Sequence, residues 1–290
     1  MLLRTRSFVL ALPLAAALAF ASAGCSGTAG TEPIAASPEG ATTRAPVAQN
    51  AHGPLKVMGD ALGDVPLTAS QRAAVESLAT DAENRHAAAR AAHKDLALAI
   101  AGQVQAGAID RAALQPKIDA VVAAMKAAQP GDRAGLEQLH AILTPDQRTA
   151  FVDAVRARMS QHKGAGAMRE HHGLKQWATD LGLSDEQRSQ IKDGLKQHFQ
   201  AKMAAGHEGA PWGEAKEHGH AVMEAFKGDR FVMNEVAPPH DVAQMSQKMT
   251  DHLLGIAEVA LPILTPQQRT LAAQKLRDRA EAGDEAAPLP

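Results

Sequence analysis

The string Leu143-Thr144-Pro145-Asp146-Gln147-Arg148 decides how this chain is read, because each residue type suits one position at a helix start. Thr144 stands as an N-cap whose hydroxyl accepts from the third helical amide. Pro145 takes the first helical position, where a missing N–H costs nothing. Asp146 faces the positive end of the helix dipole. Gln147 reaches back to the Thr144 amide and closes a capping box. The same grammar recurs at Thr68 and Gln71, Ser184 and Gln187, and Thr265 and Gln268, each cap contributing about 1 kcal/mol. All four glutamines are followed by arginine: Arg72, Arg148, Arg188 and Arg269. A cation in a first helical turn is unfavourable by roughly 0.3–1 kcal/mol. These arginines therefore call for a carboxylate partner on another helix or for a place in a functional basic edge.

The chain repeats itself. AILTPDQRTAF from Ala141 and PILTPQQRTLA from Pro262 are nearly identical. HGPLKVMGDALGDVPLTASQR from His52 and HHGLKQWATDLGLSDEQR from His171 share His-Gly, Leu-Lys and a following Leu-(Thr/Ser)-x-x-Gln-Arg. Two units follow, 52–160 and 172–280, with a period of about 120 residues and a joint at SQHKGAGAMRE from Ser160. That period is too long for a solenoid and points to a duplicated small domain.

Apolar spacing within the units is helical. Leu96, Ile100 and Val104 step by four, Leu114, Ile118, Val121 and Met125 follow a helical face, and Ile191, Leu195, Phe199 and Met203 repeat the pattern, as do Met245, Met249 and Leu253. Break signals fall at Gly107, Pro130-Gly131, Gly206 to Gly213 and Pro238-Pro239. Tyrosine is absent and aromatics are 3% of the chain, which predicts an all-α fold of helical hairpins with thin cores.

The leader MLLRTRSFVLALPLAAALAFASAGC pairs basic Arg4 and Arg6 with a short apolar run, the pattern of an export signal over 1–24. The chain's one cysteine, Cys25, stands where cleavage would occur and resembles a lipidation site, with small residues before it. Acyl chains there would hold the protein on a membrane. One cysteine leaves no disulfide within the chain. Gly, Ala, Ser, Thr and Pro dominate 25–51, which reads as a flexible tether, and 281–290 reads as a disordered tail. With Arg4 and Arg6 set aside, 28 basic residues face 32 acidic ones, a net charge of about −4, which argues against nucleic acid as a partner.

Paired cap motifs, each led by Leu, resemble the LTxxQ family of bacterial periplasmic proteins, the Spy/CpxP group. The resemblance implies a helical cradle and ATP-independent chaperone or stress-response activity toward unfolded or misfolded envelope proteins. Relatives in that group include zinc-resistance-associated and heavy-metal-sensing proteins. Family members often pair two identical chains. Here two tandem units in one chain imply a monomer with a pseudo-two-fold, pseudo-dimeric cradle. With the leader and Cys25, the expected location is periplasmic, as a membrane-anchored lipoprotein of a Gram-negative-type envelope.

Met203, Met223, Met233, Met245 and Met249 are candidate client surface, because methionine adapts to varied partners; the same residues also serve as ordinary core filling. Histidine is uneven, four before Ser160 and nine after it. His171, His172, His218 and His220 are candidate Zn, Cu or Ni ligands, although none forms an i, i+4 pair. The spacing of His218 and His220 suits an extended loop. The alternative function is thus a periplasmic heavy-metal binder or sensor of the same fold. Enzyme signatures are missing: Gly164-Ala165-Gly166 lacks the strand and third glycine of a dinucleotide loop. No catalytic residue and no required cofactor is expected.

Overall fold

Caps and apolar stripes lay down nine helices among the residues that the computed structural model describes, which are 41–49, 51–204, 212–239 and 241–282. Over 53–54, 161–175 and 212–217 the backbone alone is described. The helices are α1 (Gly53–Gly63), α2 (Ala69–Ala106), α3 (Arg111–Ile142), α4 (Pro145–Asp180), α5 (Asp185–Ala204), α6 (Trp212–Phe226), α7 (Met233–Val236), α8 (Val242–Ala260) and α9 (Pro266–Ala282). The fold is all-α. Two-residue strands β1 (Thr42–Thr43) and β2 (Leu67–Thr68) pair antiparallel, Thr42 with Thr68 and Thr43 with Leu67.

Each long helix begins and ends for a stated reason. A capping box at Thr68 opens α2, and Gly107 closes it at φ 88, a left-handed conformation natural to glycine. Asp110 caps α3 by accepting from the Ala113 amide at 3.0 Å. Asp241 caps α8 by accepting from the Ala243 and Gln244 amides.

One break signal and the expected joint behave differently from expectation. The α3 helix runs through Pro116 and Pro130, so the Pro130-Gly131 break does not occur. Packing of α3 along α2 offsets the missing proline amide, and Gly131 admits the Arg85 side chain where a Cβ would overlap it. The α4 backbone stays helical across residues 160–170, the expected joint. Of the Gly206 to Gly213 break, residues 205–211 lie outside the described residues.

Each of the two cores draws on both halves of the sequence. Leu62, Val65, Leu67, Val75, Leu139, Leu143, Phe151 and Val152 meet Phe226, Phe231 and Met233 in one. Leu96, Ile100, Val104, Leu114, Ile118 and Val121 meet Leu181, Leu254, Leu261 and Leu276 in the other. Packing is reciprocal. The α9 helix lies on α2, α4 lies on α6, and α3 packs on α8. The α5 helix has no buried residue, and the fully buried leucine of α8 is Leu254 at 1% exposure rather than Leu253. Residues 1–40 and 283–290 lie outside the described residues, and with them the leader, Cys25 and most of the tail.

Candidate functional site

The four capping boxes form. Thr68 N–H donates to Gln71 Oε1 at 3.0 Å and Gln71 N–H to Thr68 Oγ1 at 3.1 Å. The matching distances are 2.9 and 3.4 Å at Thr144 and Gln147, 3.0 and 3.1 Å at Ser184 and Gln187, and 2.9 and 3.2 Å at Thr265 and Gln268.

The glutamines do more than cap. Gln71 Nε2 donates to Gln147 Oε1 at 2.8 Å, and Gln147 Nε2 donates back to Gln71 Oε1 at 3.0 Å. The second N–H of each amide goes to the chain just before the partner's motif, Ile142 O at 2.8 Å and Pro66 O at 2.7 Å. Both carboxamides thus use two donors and two acceptors, their full capacity. Gln187 and Gln268 repeat the arrangement at 2.9 and 3.1 Å, with Ile263 O and Gly182 O as outer acceptors at 2.9 and 3.3 Å. Each motif pair is a clasp that ties two helix starts together. The leading leucines Leu67, Leu143 and Leu264 are buried beside the clasps.

The arginines divide into two classes. Arg148 is 7% exposed and reaches Asp229 Oδ1 at 3.3 Å, in the turn after α6. Arg269 reaches the α2–α3 turn, where a Cβ on Gly107 would lie 2.8 Å from its Nη1. An arginine from each half therefore fills the hairpin turn of the other. The Nε atoms of Arg148 and Arg269 are buried and lack a hydrogen-bond partner among the described residues. Among the described residues Arg72 has no carboxylate partner of the expected kind. It donates to the backbone carbonyls of Ala45 at 2.8 Å and Thr43 at 2.9 Å. Arg188 is exposed, with Asp185 of its own first turn at 3.7 Å.

Residues 41–49, the described end of the stretch 25–51 read as a flexible tether, are held in place. They form a strap on the first clasp. Val47 is 1% exposed, and the Ala48 amide donates to both Glu76 carboxylate oxygens at 3.0 Å. One buried apolar side chain and main-chain bonds to fixed charges hold a segment whose composition looks unstructured.

The halves are also joined by ion pairs. Arg111 on α3 donates to Glu258 Oε1 at 2.6 Å and to Asp251 Oδ1 at 2.7 Å on α8. The Arg111 hydrogen bond holds the Glu258 carboxyl below its ordinary range, and the same bond raises the Arg111 guanidinium. Hydrogen bonds from Arg156 to Glu224 and from Lys275 to Asp180 lower those two carboxyls. His140 is buried between Phe226 and Phe231, with Nε2 2.8 Å from the Gly228 carbonyl. Its place in an alternating helical sequence gave no signal of that contact.

The candidate methionines separate. Met203 is 69% and Met249 40% exposed. Met245 is half-buried, and Met223 packs against the first core. Met233 is 7% exposed inside that core, so it is filling rather than client surface. His218 and His220 lie in helix α6, not in an extended loop, where a separation of two residues points them to different faces. That pair does not fit a shared metal ion. The side chains of His171 and His172 lie outside the described residues. Among the described residues no three His, Cys, Asp or Glu side chains gather as a metal site, and no helix is long and apolar enough to cross a membrane.

Comparison with known proteins gave one finding: residues 56–154 match the model of the LTXXQ motif family. The match spans α2, α3 and both motifs of the first clasp. Neither curated proteins nor solved structures gave a match. Over residues 56–154, then, this chain is similar to the LTXXQ motif family.

Proposed function

We propose that the protein is an envelope lipoprotein that holds unfolded or misfolded polypeptides without ATP, anchored through Cys25. The observation that carries this reading is the exposure of Met203 and Met249, 69% and 40%, on the packed helices α5 and α8. Lys202 Nζ donates to the Asp251 carbonyl at 3.2 Å and ties these helices beside the two methionines. Adaptable apolar side chains exposed on this helix pair suit shallow and reversible contacts. Micromolar binding needs only about −8 kcal/mol. The match of residues 56–154 to the LTXXQ motif family and the resemblance to the Spy/CpxP group support the same reading.

The two halves act as a pseudo-two-fold cradle in a single chain. The reciprocal packing of α9 on α2 and α4 on α6 supports this, as does the exchange of Arg148 and Arg269. The protein should suppress aggregation of a chemically denatured substrate without ATP, and Met203→Gln with Met249→Gln should weaken that effect. Inactivity at tenfold molar excess would count against the proposal. Light scattering should give one chain per particle.

A further inference from the structure

The strap reads as a peptide already seated in a groove. We propose that the edge of the first clasp is a binding site for extended polypeptide, and that residues 42–48 fill it in cis as a displaceable plug. This rests on the holding activity proposed above and assigns a site for it.

Recognition is almost wholly through main chain. The ladder joins Thr42 to Thr68 and Thr43 to Leu67. The Arg72 guanidinium takes the Thr43 and Ala45 carbonyls at 2.9 and 2.8 Å, and the Glu76 carboxylate takes the Ala48 amide at 3.0 Å. An extended chain of almost any sequence offers the same groups, which is how strand addition works. Side-chain demands are few. One β-branched residue enters the pocket that buries Val47 to 1%. A small residue must follow, because a Cβ on Gly59 would lie 2.8 Å from Ala48 Cβ. The occupant is therefore an unfolded, extended segment carrying a Val-Ala-like pair.

The plug is suited to leaving. Ala48 sits at φ 53, a left-handed conformation that is strained for a residue with a Cβ. Thr42, Thr43 and Arg44 are exposed. A tethered segment competes at a millimolar-scale effective concentration, so free peptides displace it poorly until it is loosened.

The test uses the full chain and a fluorescein-labelled peptide spanning Ala41 to Gln49. Val47→Asp expels the plug from its pocket, and Thr43→Pro breaks its ladder at an exposed position. Either variant that retains its helical circular dichroism should bind the peptide at least tenfold more tightly than the natural chain by anisotropy. Adding Arg72→Gln with Glu76→Gln should abolish the gain. Equal weak binding by natural and loosened chains, or a gain that survives loss of Arg72 and Glu76, overturns the proposal. Aggregation suppression, measured in parallel, separates the two readings. Suppression without peptide capture removes the groove and leaves the holding function. Capture without suppression leaves the groove and removes the holding function.

Discussion

Gln71 and Gln147, seventy-six residues apart, exchange two amide hydrogen bonds at 2.8 and 3.0 Å while each closes its own capping box. A capping box requires a side-chain acceptor at the third helical position, and Glu or Gln serves equally. A reciprocal pair requires a donor as well, which only the carboxamide supplies. The glutamine of the motif is thus explained by its partner, and the threonine by its own helix.

Loss of a clasp should be costly and cooperative. Thr144→Ala with Gln147→Ala removes a cap of about 1 kcal/mol and three side-chain bonds of about 1 kcal/mol each. The melting temperature should fall by about 8 °C or more, at 2–4 °C per kcal/mol for a chain of this size. An unchanged melting curve contradicts the account.

Arg148 offers a second measurement. Its guanidinium is buried, yet its carboxylate partner among the described residues, Asp229, is 96% exposed by side chain. The charge is poorly compensated, and an apolar residue of similar volume often replaces such a group without loss. Arg148→Met should therefore change stability by less than about 1 kcal/mol, while Arg148→Ala leaves a cavity and costs about 2 kcal/mol or more. Chemical denaturation of the two variants checks the difference. A larger loss for Met than for Ala would mean that the charge itself holds the turn.

The acid limb of stability should be set partly by the pairs that join helices. Glu258, Glu224 and Asp180 all have carboxyls lowered by bonds to Arg111, Arg156 and Lys275. A lowered carboxyl contributes stability that is present above its unfolded value and lost as pH falls through its folded value. The melting temperature should fall below about pH 4.5, the ordinary glutamate value, and Glu258→Gln should flatten that decline. A decline of unchanged slope in Glu258→Gln would exclude the Arg111 pair as a contributor.

Local signals were legible in the sequence, and long-range ones were not. The faces Leu96, Ile100, Val104 and Leu114, Ile118, Val121 are buried as their spacing requires, and the four caps close as their residue types require. The pairing of Gln71 with Gln147 left no trace in either motif, because each already had a sufficient local role. The strap was hidden for a related reason. Its hold depends on Arg72 and Glu76, about thirty residues downstream, not on its own composition. The stretch from Ser160 suggested a joint and Pro130 a break, but helix propensity yields when neighbouring turns and tertiary packing favour continuity. Met233 matched exposed methionines in type and differed only in burial.

The most direct test of the clasp is Gln147→Glu, followed by urea denaturation at neutral pH. The substitution keeps the size of the side chain and its capping acceptor while removing both donors. It places a carboxylate against Gln71 Oε1 and the Pro66 carbonyl, which now accept from Gln147 at 3.0 and 2.7 Å. A loss of about 2–4 kcal/mol is expected, with partial recovery on acidification as the new carboxyl gains a proton and a donor. Stability equal to that of the natural chain would show that the glutamine only caps, and would remove the clasp from the account.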